Sequence, residues 1–485
     1  MRTRIFAEEN RKWWTLASLA FALFMIMLDN TVVNVALPSI QRDLGIGQSE
    51  LEWVVTGYAL SFAVLMLTGG KLADMLGRRR IFMVGLAVFT VSSLLCGLAG
   101  GAGLLIAARV VQGVGAALMM PATLSIVTAI FPARQRGAAI GIWAGVSALA
   151  LAIGPLVGGV ITQHVSWSWV FYVNVPVGLL GLIAAWLIVP ESRDTSHEQR
   201  LDLPGLVVSG VGLFALTFAL IEANTYGWTS GTILSLFGLA AAALAVFVLL
   251  ELRQRLPMLD LRLFRNPTFA GSNVVALLVS LAMFGVFFFV SLYMQNVLGY
   301  SPTQAGATFL PMTLLIIVVA PFAGRASDRL GSRWLMAGGL TLVALHLVLL
   351  AQLGAAETFW SILPALLVGG VGMAITMTPM TAAAMSAVPT DKAGVGSGIL
   401  NTFRQVGGAL GIALMGAILA REATASAAAG ASPVDAFLDG LHLGLYVAAA
   451  IALAGAVIAA VAVRSHASGH ATGERAEPAP AVEAA

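Results

Sequence analysis

The sequence predicts an all-α integral membrane protein with fourteen transmembrane helices, arranged as two related six-helix halves with two inserted helices between them. Composition is the first reason, because 59% of the 485 residues are hydrophobic, only 10% are charged and the mean hydropathy is +0.92. A soluble protein carries about 25% charged residues. With so few charges, most apolar side chains must face lipid.

A repeated motif is the second reason. The stretch GKLADMLGRRR at residues 70–80 returns as GRASDRLGSRW at residues 324–334, an offset of 254 (324 − 70). Three positions are identical in the two copies: Gly70, Asp74 and Gly77 in the first, Gly324, Asp328 and Gly331 in the second. Duplicated halves of this kind are typical of transporter folds.

Apolar runs long enough to span the membrane are the third reason, since a helix needs roughly 20 residues to cross a ~30 Å hydrocarbon core. In order, the spans lie near residues 13–38, 51–70, 81–99, 103–130, 137–162, 169–189, 204–222, 232–250, 268–297, 303–323, 334–352, 359–387, 394–420 and 441–463. Charged linkers bracket spans seven and eight, and removing this pair leaves six plus six.

The chain therefore divides into four predicted units. Residues 1–189 form the N-terminal six-helix bundle, and residues 190–267 hold the charged linkers with the inserted pair. Residues 268–463 form the C-terminal six-helix bundle. Residues 464–485, rich in Ala, Pro and Glu, are expected to be a disordered cytoplasmic tail.

The basic residues predict the orientation, since cytoplasmic loops of membrane proteins are rich in Lys and Arg. With the N-terminus inside, 22 of the 26 basic residues fall in cytoplasmic segments. We expect a multi-pass protein of the bacterial inner (plasma) membrane with both termini in the cytoplasm. Cys96 stands alone, which excludes a disulfide framework and a Cys-based metal site. We expect no metal, no cofactor and no nucleic-acid partner.

Asp29 and Arg109 are the candidate proton-coupling residues, because charges at membrane depth cost at least a few kcal/mol and usually serve function. At 1.5 Å per residue, Asp29 lies about 14 Å and Arg109 about 9 Å below the same outer surface. An arginine side chain can bridge that difference. A change in their separation would load or release a proton. The alternative is a purely structural buried ion pair.

Two spans carry small or polar residues on one face, and small residues allow close helix packing. Steps of 3 and 4 align Gly141, Gly145, Ala148, Ala152, Pro155 and Gly159 in span five, and Ser397, Asn401, Arg404, Gly408, Gly411 and Met415 in span thirteen. Arg404 either faces the substrate cavity or braces the loop at Asp74. Asp74 is expected to be structural, its carboxylate accepting hydrogen bonds from a helix N-terminus. Glu222 is predicted to be a solvated helix end, and His346 a packing histidine.

Five motifs in order resemble the major facilitator superfamily, specifically its fourteen-span drug:proton antiporter family. They are LDNTVVNVALP (28–38), GKLADMLGRRR (70–80), RVVQGVGAALMMP (109–121), GPLVGG (154–159) and WSWVFYVNVPVG (167–178). The resemblance covers nearly the whole chain except the tail. It departs from the family pattern in the second loop copy, where Ser332 and Trp334 replace basic residues.

The resemblance implies the major facilitator fold and a set of site residues. It implies a conformational gate at Gly70, Asp74, Gly77, Arg78 and Asp328, and an antiporter motif at Gly154, Pro155, Gly158 and Gly159. We expect the substrate cavity between the halves at mid-depth, with Asn34, Gln112, Met120, Asn401 and Arg404 at its wall.

The function expected from these observations is export of a hydrophobic small molecule in exchange for protons, by alternating access. The expected partners are the lipid bilayer, protons and the substrate, and the protein is expected to be a monomer. The nearest alternative is an exporter dedicated to one metabolite or self-made antibiotic. A proton symporter or a channel fits less well. An enzyme is not expected, because the six histidines are scattered and no phosphate-binding Gly-rich Lys motif is present.

Overall fold

The computed structural model describes residues 8–193, 201–254, 257–388 and 393–464. The predicted disordered tail lies outside these ranges except for Arg464, as does part of each charged linker. The helices are α1 (Glu8–Leu44), α2 (Gln48–Leu76), α3 (Arg78–Gly97), α4 (Ala102–Ile130), α5 (Ala133–His164), α6 (Trp169–Tyr172), α7 (Asn174–Ile188), α8 (Leu203–Tyr226), α9 (Gly231–Arg253), α10 (Pro267–Asn296), α11 (Pro302–Thr308), α12 (Leu310–Leu330), α13 (Ser332–Leu350), α14 (Phe359–Ser386), α15 (Ala393–Ala428) and α16 (Pro433–Ala462). A 3₁₀ turn, Leu261–Arg265, precedes α10.

The helices confirm the predicted fold class. Within the described residues, thirteen stretches are long and apolar enough to cross a membrane, and α5 makes a fourteenth when its segments 141–151 and 153–164 count as one span. The sixth span is α6 with α7, and the tenth is α11 with α12. Several helices extend past the predicted spans, as α1 and α15 do, because hydropathy marks only the apolar part of a helix.

Packing follows the sequence repeat. In the first half, α1 packs against α5, α2 against α4, and α3 against α4. In the second half, the corresponding pairs are α10 with α15, α12 with α14, and α13 with α14. Two bundles with the same internal pairing are therefore present, and the residue limits proposed above for each unit stay a prediction.

Three sets of helices meet where the halves face each other: α1 with α10, α2 with α15, and α5 with α11 and α12. The inserted α8 packs on its partner α9 and also contacts α2 and α15. Helix α9 is the more peripheral of the two, since most of its residues are exposed. The inserted pair thus sits beside one seam between the halves.

The bundle has two distinguishable ends. We call the end with the turns at Gly77 and Gly331 the basic end, because Arg78–Arg80 lie there. Both glycines have positive φ, +114° and +81°, a region that other residues rarely adopt. They let α2 turn directly into α3, and α12 into α13. The other end, which holds the turns at Gly45 and Gly299, is called the opposite end.

Contacts between the halves concentrate toward the opposite end. Among the described residues, three hydrogen bonds join the halves. Ser291 Oγ donates to the Asn34 carbonyl (3.1 Å), and Gln295 Nε2 donates to the Val35 carbonyl (2.9 Å). The Thr303 amide donates to Gln163 Oε1 (3.2 Å). The opposite end is therefore closed in this structure.

Candidate functional site

An ion pair between α1 and α4 lies in the middle of the first half. Arg109 Nη1 donates to Asp29 Oδ2 at 2.5 Å, and each residue is only 1% exposed. The sequence placed Asp29 and Arg109 at similar depths, within reach of an arginine side chain. The structure shows that the two side chains are in contact.

Polar groups complete the shell of Asp29. Its Oδ1 accepts hydrogen bonds from Gln112 Nε2 (3.1 Å) and from Asn174 Nδ2 (3.3 Å). Ser93, fully buried on α3, accepts a bond from Asn174 Nδ2 at 3.0 Å and so orients that amide. Sequence reasoning missed Asn174, although it sits in the motif at 167–178. Three side chains, those of Arg109, Gln112 and Asn174, therefore donate to this one carboxylate.

Arg109 has its own set of partners. Its Nε donates to the Val54 carbonyl (3.1 Å) and its Nη1 to Gln112 Oε1 (2.8 Å). The guanidinium also lies 4.2 Å from the centre of the Tyr58 ring, a cation–π contact. Gln112 bridges both charges and is fully buried. Its predicted place at the cavity wall is wrong, because it faces the ion pair instead.

The other predicted cavity residues are Asn34, Met120, Asn401 and Arg404, and all four are half-buried. Asn401 Nδ2 donates to the Ser397 carbonyl one turn earlier (3.0 Å). Asn34 Nδ2 approaches the Asn30 carbonyl (3.4 Å), while Asn34 Oδ1 is buried without a partner. These residues come from both halves, and none of the hydrogen bonds just described joins one of them to another.

The gate residues differ from expectation in one respect. Asp74 does not cap a helix N-terminus: its Oδ1 accepts from Arg78 Nε at 2.8 Å, one turn away. Glu191, which follows the sixth span, takes the capping role. Its carboxylate accepts the amides of Arg79 (3.0 Å) and Arg80 (3.2 Å) at the start of α3. Glu191 lies 112 and 111 residues from these two amides in the sequence, so no local sequence pattern predicts the cap.

Glycines at the gate have different surroundings. A Cβ at Gly77 would lie 2.8 Å from the Glu191 carboxylate, so the cap needs glycine there as well as the turn does. A Cβ at Gly70 would sit 3.3 Å from Pro121 of α4, a tight but adjustable contact. The side chain of Asp328 lies outside the described residues. Asp74 and Arg404 form no ion pair, so the bracing alternative for Arg404 does not hold in this structure.

The small-residue face of α5 packs closely only in its second half. Gly154 and Gly158 lie against α1, where a Cβ at Gly158 would be 2.5 Å from the Val32 carbonyl. Gly159 lies against the backbone of α11, and the Pro155 carbonyl lies against Gly306. Gly141 and Gly145 have nothing within 4 Å of an added Cβ. The predicted continuous contact face is therefore wrong for the first half of α5.

A second buried acid was missed by sequence reasoning. Glu52 on α2 is 3% exposed and accepts a bond from Gln48 Nε2 (3.1 Å), and its carboxylate lies against Gly416 of α15. Burial arises because Gly416, in the other half, has no side chain to fill the space.

Glu222 on α8 lies beside the same seam. Its Oε1 accepts from Ser49 Oγ (2.6 Å) and Trp53 Nε1 (3.4 Å), and the residue is half-buried, so this helix end is held against α2 and keeps part of the predicted exposure. A cavity of about 380 Å³ adjoins Glu52 and Glu222. Asn224, also on α8, donates to the Ala417 carbonyl of α15 (2.9 Å). The inserted helix thus contacts both halves at the opposite end.

His346 lies where the sequence placed it, inside the second half. Its Nδ1 is 2.7 Å from the Ala365 carbonyl, and the ring is buried against Gly369. The contacts are those of a packing histidine.

Comparison with known proteins gives consistent matches. The sequence model described as Major Facilitator Superfamily matches residues 19–412. The chain is 38% identical over 407 residues to multidrug resistance protein Stp of Mycobacterium tuberculosis, covering 84% of this chain and 75% of that protein. It is 37% identical over 415 residues to the tetracenomycin C resistance and export protein of Streptomyces glaucescens (84% and 76% covered). It is 38% identical over 405 residues to the methylenomycin A resistance protein of Streptomyces coelicolor (83% and 85% covered).

Among solved structures, a similar fold is found in a bacterial homolog of the human lysosomal transporter Spinster, in an inward-facing and unoccupied conformation. The TM-score is 0.67 at 18% sequence identity, covering 94% of this chain and 97% of that chain. At this identity the match supports the fold alone.

Proposed function

Because the chain belongs to the major facilitator superfamily, we propose that it is a proton-coupled antiporter that exports hydrophobic small molecules across the bacterial plasma membrane. The three relatives reported above each match over more than four-fifths of the chain, and they are named as multidrug resistance or antibiotic resistance proteins. Family and relatives are transporters, and a chain with this many apolar helices is a multi-pass membrane protein.

The observation that carries the coupling proposal is the buried pair of Asp29 and Arg109. The ionised carboxylate holds Arg109 directly, while a protonated carboxyl would leave the guanidinium to Gln112, the Val54 carbonyl and Tyr58. The two protonation states therefore favour different arrangements of α1 and α4. A group whose charge state selects a conformation is what proton coupling requires.

Alternating access is supported by where the halves touch. Among the described residues, the three hydrogen bonds between them lie toward the opposite end, as does the close contact of Gly159 with the backbone of α11. With the basic end in the cytoplasm, as the distribution of Arg and Lys indicates, this state is closed to the outside. Export then requires these contacts to break while others form at the basic end. We propose that one chain, with its two halves, is the working unit.

Transport assays in everted vesicles test the proposal. Vesicles that contain the protein are energised to be acidic inside, and compounds from a panel of hydrophobic molecules are added one at a time. A substrate is expected to collapse part of the pH gradient and to accumulate against its own gradient; vesicles without the protein are the control. Movement only down the substrate gradient, unaffected by an imposed pH gradient, would identify a channel or facilitator instead.

A dedicated exporter of a single metabolite is the second candidate. Two of the relatives carry the names of single antibiotics, tetracenomycin C and methylenomycin A. The same panel separates the candidates, because a dedicated exporter responds to one chemical scaffold and a multidrug exporter to several.

A further inference from the structure

Arg404 is a charged residue in the middle of a transmembrane helix without a counter-charge. Arg78 and Arg109 each pair with a carboxylate. Within the described part of the chain, Arg404 makes neither an ion pair nor a hydrogen bond. An unpaired guanidinium at this depth destabilises the folded protein, so a purely structural role does not explain why an arginine stands at position 404.

The surroundings of Arg404 follow from the faces of α15. Gly407 and Gly411 lie against the backbone of α10, while Gly398 lies against Leu67 of α2 in the other half. By helical position, Arg404 and Asn401 fall between these two packed faces. Both side chains are half-buried, so each keeps some accessible surface in the space between these two faces.

The charge available to a ligand in that space is positive. Away from the span ends, the charged residues of the sequence are Asp29, Arg109 and Arg404. Asp29 and Arg109 neutralise each other and are 1% exposed, so neither presents charge to a ligand. Arg404 is left with free donors. A planar guanidinium forms its strongest contacts with carboxylates and other oxyanions, often through two parallel hydrogen bonds.

We infer that Arg404 binds an anionic oxygen group of the exported molecule, so that the preferred substrates are hydrophobic monoanions such as carboxylic acids. This inference rests on the export function proposed above and adds the substrate class. It also sets the charge moved: one anion out and one proton in transfer two positive charges inward per cycle. Export of an anion is therefore driven by the membrane potential as well as by the pH gradient.

A matched set of probes tests the inference in proteoliposomes. The set is a fluorescent hydrophobic carboxylate, its uncharged primary amide and the corresponding amine. The wild-type protein should bind and transport the carboxylate in preference to the amide by about 10- to 100-fold, the ratio that charge-assisted hydrogen bonds provide. Arg404→Gln should remove that preference, because it should weaken binding of the carboxylate far more than binding of the amide. Arg404→Lys, which keeps the charge, should retain part of it.

Arg421→Gln is the matched control, because Arg421 is exposed near the end of α15. It should leave the preference for the carboxylate intact. Equal loss of all three probes in Arg404→Gln, with folded protein by size exclusion, would assign Arg404 to the conformational change and overturn the inference. A wild-type preference for the amine would overturn it as well.

The outcomes also separate this inference from the proposed function. If a pH gradient drives the amine or the amide but not the carboxylate, the antiporter stands and the substrate class is wrong. If a pH gradient drives none of the probes and none of the compounds in the wider panel, the proposed function itself fails.

Discussion

Replacing Asp29 with asparagine tests the centre of the proposed mechanism. The carboxylate accepts hydrogen bonds from Arg109, Gln112 and Asn174. An amide at position 29 has one acceptor oxygen and resembles the protonated acid in charge. The variant would hold the site permanently in the proton-loaded form, so proton-driven accumulation should be abolished.

The size of the effect follows from what remains around Arg109. Removing one member of a buried ion pair costs about 3–5 kcal/mol. Arg109 keeps the Val54 carbonyl at 3.1 Å, Gln112 Oε1 at 2.8 Å and the Tyr58 ring at 4.2 Å. These contacts place the cost near the lower limit, about 3 kcal/mol, which corresponds to about 100-fold in a conformational equilibrium. The closed state described here should be depopulated by about that factor relative to any state that hydrates Arg109.

Two transport measurements on reconstituted protein give the result. Uphill accumulation under a pH gradient should fall to no accumulation in Asp29→Asn. Substrate–substrate exchange at equal pH, which requires no net proton transfer, should remain measurable, within about 100-fold of wild type, because the altered equilibrium still samples both states. Asp439→Asn is the control, since Asp439 is an exposed acid on α16, and both activities should survive. Uphill accumulation at the wild-type level in Asp29→Asn would refute the coupling role, and loss of exchange in folded protein would favour the static ion pair.

Two further predictions address the seam between the halves and the orientation. Gly159→Ala adds a methyl group against the backbone of α11 and should cost the closed state about 1–3 kcal/mol, whereas Gly141→Ala, in open space, should change little. The accessibility of engineered cysteines at the opposite end reports how far each variant opens the closed state. Equal accessibility in Gly159→Ala and Gly141→Ala would contradict the packing argument. Reporter fusions after Arg80 and Arg333 should both read cytoplasmic, and one after Thr225 external; if the first two read on different sides, the span count is wrong.

Most of the fold could be predicted because its signals are local. Hydropathy marks each span within one continuous stretch, and the repeat at 70–80 and 324–334 relates the two halves without any knowledge of contacts. The contact between Asp29 and Arg109 was also accessible, because depth in a membrane follows from counting residues along a helix. One-dimensional information is enough for these features.

Features that depend on neighbours from distant segments were not predictable in this way. The burial of Glu52 depends on Gly416, far along the chain and in the other half, so no local pattern marks this acid as buried. The capping role that was predicted for Asp74 is performed by Glu191. Glu191 lies after the sixth span, so the sequence around Asp74 gives no sign of this contact. Gln112 was placed at the cavity wall because its helix position was known but the face of α4 was not.

The position of the ion pair limits how a proton could drive the transport cycle. Asp29, Arg109, Gln112 and Asn174 all belong to the first half, so the pair does not itself hold the halves together. A proton must act through an element that touches both the pair and the seam. Helix α1 does so: about one and a half turns beyond Asp29, the carbonyls of Asn34 and Val35 accept hydrogen bonds from α10 in the second half. In the proposed cycle, release of Arg109 would free α1 to shift or rotate, and a small shift there would break these two bonds, because interfaces change between discrete packed arrangements.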